Sequence, residues 1–337
     1  MRPTFHPFLV NDPYHDPCLF INFLFENRAI AFDLGDLHAL SAKNILKISH
    51  VFVTHTHMDH FVGFDALLRL TLGRDKTIDL FGPENFLKNV EGKLAGYTWN
   101  LTTNYRDSLT LRVTEIRRDK MLTQMYHCRK QFRPEKPPAV RPVTDILLDE
   151  PGFSVSFVQL SHDTACLGFC LNERFHININ TEGLAALGLE PGPWINDFKT
   201  ALYENAPPDS EITVMTDGGV KRFPLGDLSE KIALITPGQK ITYIADINYQ
   251  PDNIDQIIAF AKDSDHLFIE SHFLDADKDL ARRKHHLTAT QAGTLAGKAG
   301  VKRLTTFHYS PRYEDQQAML ENEAQAAYQM ALGKEEK

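Results

Sequence analysis

Apolar and polar positions along the chain follow two periods, one typical of strands and one typical of helices. Short runs rich in β-branched and aromatic residues predict strands, which lie at 18–35 (two strands), 50–54, 77–81, 109–113, 153–158, 240–246, 266–270 and 303–308. Stretches with apolar residues three and four positions apart predict helices, which begin near residue 63 and lie at 84–96, 254–261, 288–298 and 314–332. Strands that alternate with helices predict an α/β fold.

Two segments interrupt this alternation. The first, 114–149 (the basic insertion), is rich in charge, since nine Lys or Arg and three Asp or Glu lie between residues 112 and 141. Such a segment can contact phosphates, or it can be a solvated excursion. The second, 178–223 (the arm), contains two short predicted helices around a turn at Pro191-Gly192-Pro193. Its self-contained pattern predicts an insertion that projects from a core.

Polar residues suited to metal binding follow several of the predicted strands. Loops that leave a rigid sheet often carry functional side chains, and imidazole with carboxylate suits zinc. A His-rich surface loop is the alternative interpretation, but the tight spacing of the four residues at 55–60, between a predicted strand and a predicted helix, argues against it. Two zinc ions, each with three terminal ligands and a shared carboxylate, would use seven candidates, and a bridging hydroxide would have its pKa lowered towards ~7. The seven candidate ligands are His55, His57, Asp59, His60, His162, Asp246 and His308.

Length, net charge and cysteine content limit the classes of protein to which the chain can belong. With 337 residues the chain forms one large domain or two ordinary ones, and its net charge of −8 argues against a general nucleic-acid coat protein. The four cysteines are too few for a disulfide framework, and Cys166 and Cys170 are expected to be buried thiols, with metal binding as the alternative. No signal-peptide region and no membrane-length apolar run is found, so we expect a cytoplasmic protein with no membrane partner.

Several motifs resemble those of the metallo-β-lactamase superfamily and, within it, the ribonuclease Z family. They include the H-x-H-x-D-H motif at residues 55–60, a Phe-Asp-Leu-Gly segment at Asp33, a Gly-Phe pair six residues after His162, and His308-Tyr309-Ser310-Pro311-Arg312-Tyr313. The Pro191-Gly192-Pro193 turn resembles the family's tRNA-clamping arm. The resemblance covers roughly residues 29–313 and implies a single domain over 1–337. The implied fold is a four-layer αββα sandwich with a projecting arm.

The resemblance also implies roles for individual residues. His55, His57 and His162 would hold one zinc ion, whereas Asp59, His60 and His308 would hold the other, and Asp246 would bridge them. Asp33 would orient the metal-binding loop, and Asp59 would position or deprotonate the attacking water. His286, supported by Glu270, would protonate the leaving 3′ oxygen of the substrate, although His285 and His286 could instead be exposed loop residues. The implied substrate contacts are Pro191, Gly192, Pro193, Thr288 and Arg312.

The implied activity is a zinc-dependent endoribonuclease that processes tRNA 3′ ends, acts on pre-tRNA or other RNA, and forms a homodimer. Manganese or iron can occupy similar sites. Four departures from the family pattern concern the substrate. One is the basic insertion, 114–149, which is unlike the short bacterial form, and the other three are local. The loop at 8–17 lacks the family's glycines, Ile269 replaces the histidine before Glu270, and Asp246 lies between Ala245 and Ile247 instead of Gly and Thr.

These departures leave two other classes of function open. One is a divergent hydrolase of the same fold that acts on a small phosphodiester or another ester. The other is a non-catalytic RNA-binding or scaffold protein, which the seven candidate ligands argue against because such a protein has no need of them all.

Overall fold

The computed structural model describes residues 4–216 and 218–333, which form strands and helices in alternation. The strands are β1 Phe5–Leu9, β2 Leu19–Phe23, β3 Ala29–Phe32, β4 Ile48–Phe52, β5 Lys76–Gly82, β6 Leu109–Ile116, β7 Lys120–His127, β8 Ala139–Pro142, β9 Ile146–Asp149, β10 Phe153–Ser161, β11 Ala165–Glu173, β12 Phe175–Ile179, β13 Glu211–Thr216, β14 Gly219–Pro224, β15 Ala233–Pro237, β16 Lys240–Ile244, β17 His266–Glu270 and β18 Leu304–Phe307. The α-helices are α1 Ala42–Lys47, α2 Met58–Phe61, α3 Phe64–Thr71, α4 Phe86–Ala95, α5 Thr181–Ala186, α6 Trp194–Tyr203, α7 Leu225–Ile232, α8 Pro251–Ala261, α9 Lys278–Lys284, α10 Ala289–Lys298 and α11 Gln317–Leu332.

The first sheet contains strands β1 to β8 in sequence order. Its central strands β3, β4, β5 and β6 are parallel, whereas the strands at both ends are antiparallel. Because parallel strands are buried on both faces, β4 needs apolar residues on both sides, and Val51 and Phe52 are both fully buried. Ile45 of α1, Phe64 of α3 and Val90 of α4 belong to the apolar core of this sheet.

The second sheet has the strand order β18-β17-β16-β11-β10-β9, and its strands β16, β17 and β18 are parallel. Helices α8 and α10 pack against it through Ile257 and Leu295, which share a core with Ile244 and Ile269. Parallel strands that end at the same edge bring the residues after them together. This edge therefore positions the residues that follow β16, β17 and β18.

Aromatic side chains join the two sheets. The ring centroids of Phe32 and Phe169 lie 5.6 Å apart, and Phe32 also lies 5.9 Å from Tyr243. Phe52 lies 5.6 Å from Phe169. With helices on the outer face of each sheet, the predicted four-layer αββα sandwich is confirmed.

The chain divides into two compact units. The smaller contains Leu148–Val155 and Leu171–Gln239, and the larger includes Phe5–Leu147 and Ser156–Cys170 as well as the chain from Lys240 onward. All described residues of the predicted arm lie in the smaller unit, which has its own core. The organisation as one domain over 1–337 and the arm over 178–223 stay predictions.

The sequence pattern located most elements but missed several. The strands β1, β7, β8, β9, β12, β14 and β15 were not predicted. Part of the basic insertion belongs to the first sheet, since it includes β7 with the fully buried Met121 and Tyr126, so a solvated excursion does not describe that part. All four cysteines are free and buried, which confirms the prediction of buried thiols for Cys166 and Cys170. Among the described residues, no helix combines the length and apolar character needed to cross a bilayer.

We predict that close packing of α10 on α11 depends on Gly293. A Cβ atom at this position would overlap the backbone carbonyl oxygen of Ala324 on α11. Gly293→Ala should therefore lower the free energy of unfolding by about 1–3 kcal/mol, as measured by denaturant titration. Gly92→Ala is the matched control, because a Cβ in that position of α4 meets no atom within 4 Å and should stabilise the helix by roughly 0.5–1 kcal/mol. Equal stability of Gly293→Ala and wild type would contradict this account.

Candidate metal centre

The loop after β4 is held in place by the carboxylate of Asp33, which is fully buried. This carboxylate accepts hydrogen bonds from the Thr54 backbone N–H at 2.7 Å and from the Thr54 hydroxyl at 2.9 Å. It also accepts from His60 Nδ1–H at 2.9 Å and from the Tyr243 hydroxyl at 3.0 Å. Because Nδ1 of His60 donates to Asp33, its Nε2 is left with a lone pair that can bind a metal ion. This geometry supports the orienting role predicted for Asp33.

A first group of potential ligands contains His55, His57, His162 and Asp246, whose ligand atoms all lie within 4.8 Å of one another. The Nδ1 atom of His55 lies 3.0 Å from the Thr54 hydroxyl, and Nδ1–H of His162 donates to the carbonyl oxygen of His285 at 2.7 Å. Partners at Nδ1 leave Nε2 of both rings facing the group.

A second group contains Asp59, His60, Asp246 and His308, also within 4.8 Å of one another. Asp59 and His60 lie in α2, and His308 follows β18 in a left-handed conformation with φ of 62°. Asp246 belongs to both groups. The structure thus brings all seven predicted ligands together and makes Asp246 their common member.

The residues fit a bound metal ion. In the part of the chain that the structure describes, six buried side-chain polar atoms lack a hydrogen-bond partner, and four belong to the two ligand groups. They are His55 Nε2, His60 Nε2, Asp246 Oδ1 and His308 Nδ1, and the last two lie 2.9 Å apart as an ion pair without a well-formed hydrogen bond. A buried polar atom without a hydrogen bond costs free energy, so three imidazole nitrogens gathered at one carboxylate oxygen indicate a site that a cation completes.

The charges of the site support the same conclusion. Although burial opposes ionisation, His308 and His60 hold the pKa of Asp246 well below its usual range. Burial likewise opposes the charge on His308, but Asp246 and Asp59 raise its pKa to about 10. Burial, together with the nearby His60, lowers the pKa of His55 to about 2. Because a ligating imidazole must be neutral, a cation has to displace the proton of His308, so metal binding should release protons.

Glu270 and His286 form a pair beside the two groups. Glu270 is fully buried, accepts a hydrogen bond from the Ile247 N–H at 2.7 Å, and lies 3.1 Å from Nδ1 of His286. Burial opposes a charge on His286, but Glu270 raises its pKa. The His286 side chain is only 13% exposed, so it is not a solvated loop residue. Its ring centroid lies 4.9 Å from His162 and 5.5 Å from His308.

The residues predicted to contact the substrate differ from one another in exposure and in their partners. Thr288 is buried and caps α10, with its hydroxyl accepting from Gln291 N–H, so the structure adds no support for a substrate contact there. Arg312 is 44% exposed and pairs with Asp277 at 3.1 Å. Pro191 and Pro193 are exposed, and Gly192 between them is half-buried. These roles stay predictions.

His272 is a member of the site that the sequence analysis did not select. Its Nδ1–H donates to the carbonyl oxygen of His308 at 2.8 Å, and its own carbonyl oxygen accepts from Ser310 N–H at 3.0 Å. Its ring stacks on His286, with centroids 4.2 Å apart and planes 14° apart. The signal was its position two residues after Glu270 in an extended segment, where side chains point to the same face.

We predict that His272 positions both the His308 ligand and the His286 ring. His272→Ala should weaken metal affinity, measured by chelator competition, by roughly 10–100-fold, because support of this kind typically contributes that much. His272→Asn keeps an N–H donor for the His308 carbonyl, so metal affinity should recover while the stacking on His286 stays lost. The control is His266→Asn, which removes a buried β17 histidine bonded to Thr305 away from the site. Wild-type metal affinity in His272→Ala would refute the positioning role.

Comparison with known proteins agrees with this geometry. No protein-family model matches the chain. The ribonuclease Z of Deinococcus radiodurans is 29% identical over 280 residues, which cover 83% of this chain and 81% of the relative. The short form of human tRNase Z superposes with a TM-score of 0.51 at 18% identity, covering 92% of this chain and 93% of that chain. The metallo-β-lactamase fold protein YhfI of Bacillus subtilis gives a TM-score of 0.50 at 17% identity, covering 94% and 86%. The chain is therefore a protein of the metallo-β-lactamase fold with ribonuclease Z proteins among its sequence relatives.

Proposed function

We propose that this chain is a metal-dependent endoribonuclease that cuts precursor tRNA at its 3′ end. The observation that carries the proposal is the pair of ligand groups that share Asp246, which suits two metal ions acting on one phosphodiester. Sequence similarity to proteins named ribonuclease Z supports RNA as the substrate class. The imidazole and carboxylate donors favour two zinc ions, with manganese or iron as alternatives.

Different residues of the chain can carry the two proton transfers of the reaction. The metal ions, when bound, supply a water activated near neutral pH. Asp59 is 38% exposed at the edge of the second ligand group, where it can orient that water and accept its proton. Beside the two ligand groups, Glu270 keeps a proton on His286, and His286 can donate it to the leaving 3′ oxygen. Neither step requires a residue outside the site already described.

The two candidate RNA-binding segments differ in charge. The arm, 178–223, contains seven acidic and three basic residues, so its net charge repels phosphate. The basic insertion has the opposite balance, and Arg118, Arg129, Arg133 and Arg141 are exposed. We propose that the basic insertion attracts the RNA backbone, whereas the arm contacts tRNA through the shape of the Pro191-Gly192-Pro193 turn.

We also propose that the protein works in the cytoplasm as a homodimer. All four cysteines are free thiols, which suits a reducing compartment. In this proposal the arm of one subunit grips the RNA that the other subunit cuts.

A second candidate function is hydrolysis of a small phosphodiester or another ester. The observation in its favour is the altered N-terminal loop, which lies beside the site. The Pro13 carbonyl oxygen accepts a hydrogen bond from Tyr309 N–H at 2.7 Å, next to the predicted ligand His308. A change of loop at this position can alter which substrate reaches the metal ions.

Cleavage assays with metal analysis test the proposed function directly. We expect the wild-type protein loaded with zinc to cut precursor tRNA, and Asp59→Ala to reduce kcat by about 10²–10⁴-fold, because a general base is lost. Asp265→Ala removes a carboxylate that pairs with Lys302 outside the ligand groups, and it should cleave like wild type. Turnover of a small phosphodiester without any cleavage of precursor tRNA would select the second function instead.

The arm can be tested without removing its core. Deletion of 183–204 would remove the buried residues Leu184, Trp194 and Phe198, so it would disturb the smaller unit. Replacing the exposed Pro191 and Pro193 by Ser should raise KM for precursor tRNA roughly tenfold, because a tenfold change corresponds to about 1.4 kcal/mol of lost binding free energy. Hydrolysis of a small diester should stay unchanged. Pro207→Ser is the control, since Pro207 is an exposed arm proline outside the turn. Equal effects on both substrates would contradict tRNA clamping.

A further inference from the structure

An open cavity of about 640 Å³ lies between the end of α4 and the basic insertion. Its lining includes the aromatic residues Tyr97 and Trp99, the amides of Asn100 and Gln131, and the guanidinium of Arg133. The mechanism uses none of these residues. Aromatic faces beside amide and guanidinium groups are the side chains that proteins use to bind unpaired RNA bases and their phosphates.

The aromatic part of the cavity is firmly held. Trp99 Nε1–H donates to the carbonyl oxygen of Leu94 at 2.8 Å, and its ring meets Phe132 edge to face at a centroid distance of 4.8 Å. Tyr97 lies 5.7 Å from Trp99 and is 48% exposed. A half-buried tryptophan beside an exposed tyrosine offers a rigid surface on which a base can stack without ordering a mobile side chain.

The basic side of the cavity has an unusual backbone. Gln131 and Phe132 are consecutive non-glycine residues in the left-handed region, with φ of 57° and 54°. Each costs free energy in this conformation, and such strain persists where the surrounding structure enforces it. Here the buried side chain of Phe132 holds the turn in place, and the turn brings Gln131 and Arg133 to the cavity.

The cavity is connected to the metal-binding loop by α4. Near the start of this helix, Asn89 Nδ2–H donates to the Thr56 hydroxyl at 2.6 Å, and Thr56 lies between the ligands His55 and His57. Leu94 and Ala95, at the end of the helix, line the cavity. With a rise of about 1.5 Å per residue, the two positions are roughly 9 Å apart along the helix axis. An RNA strand spans that distance in a few nucleotides.

Charge supports RNA as the occupant. Arg129 and Lys136 are exposed in the same segment as Arg133, whereas the acidic Glu91 at the rim is engaged by the Tyr126 hydroxyl at 2.9 Å. We propose that this cavity binds one unpaired nucleotide of the RNA substrate, with its base against Tyr97 and Trp99 and its phosphate near Arg133. The inference rests on the proposed function and assigns it a contact on the single-stranded part of the substrate.

Trp99 reports on this site directly, because the chain has only one other tryptophan, the buried Trp194. In a Trp194→Phe protein, a five-nucleotide single-stranded RNA should quench Trp99 fluorescence in a saturable manner at low salt. Anisotropy of the same RNA carrying a label, measured with wild-type protein, provides the affinity even if Trp194→Phe folds poorly. Tyr97→Ala and Arg133→Glu should each weaken this affinity by roughly tenfold.

Arg303→Glu is the control for charge, because Arg303 is exposed before β18 and takes no part in the cavity. It should keep the wild-type affinity, apart from the small general effect of net charge. Unchanged Trp99 emission at saturating RNA, or equal affinities for Arg133→Glu and Arg303→Glu, would overturn the proposal. Binding is measured without cleavage, so a protein that binds RNA here but leaves precursor tRNA intact would refute only the proposed function.

Discussion

Burial of the Asp33 carboxylate is the constraint on which the site depends. A buried carboxylate must be matched by donors, and the four that Asp33 uses come from Thr54, His60 and Tyr243. Thr54 begins the metal-binding loop of the first sheet, whereas Tyr243 belongs to β16 of the second. One charge therefore joins the two sheets and sets the orientation of the His60 ring. The left-handed backbone of Asp33, with φ of 60°, is the conformational cost of this arrangement.

The parts of the site that follow strands could be predicted from the sequence. Strands are recognisable from their apolar runs, and parallel strands bring the residues after them to one edge, so His162, Asp246 and His308 could be combined with the H-x-H-x-D-H motif. His272 was missed because its role depends on one side-chain and one backbone hydrogen bond to the 308–310 segment and on the position of the His286 ring. Local sequence patterns do not predict contacts between residues that are far apart in sequence.

Other features were missed for similar reasons. The strand β7 contains as many polar as apolar residues, and charged residues flank it. The alternation of apolar and polar residues that predicts a strand was therefore not recognised, although Met121 and Tyr126 are buried. The cavity beside Trp99 could not be read from the sequence, because α4 and the basic insertion meet only in the folded chain. The left-handed turn at Gln131 and Phe132 contains no glycine and therefore left no signature.

Four buried polar atoms of the metal centre, one of them Oδ1 of Asp246, lack a hydrogen bond, and this affects the stability of the protein as well as its chemistry. A folded state that buries polar atoms without partners is less stable than one in which a cation satisfies them, so ligand binding is converted into folding stability. Chains that lose their metal ions would populate unfolded states more often and would be degraded faster. In a cell short of metal, the amount of this protein would fall. The supply of the metal ion would then determine how much folded protein is present as well as how fast each molecule catalyses its reaction.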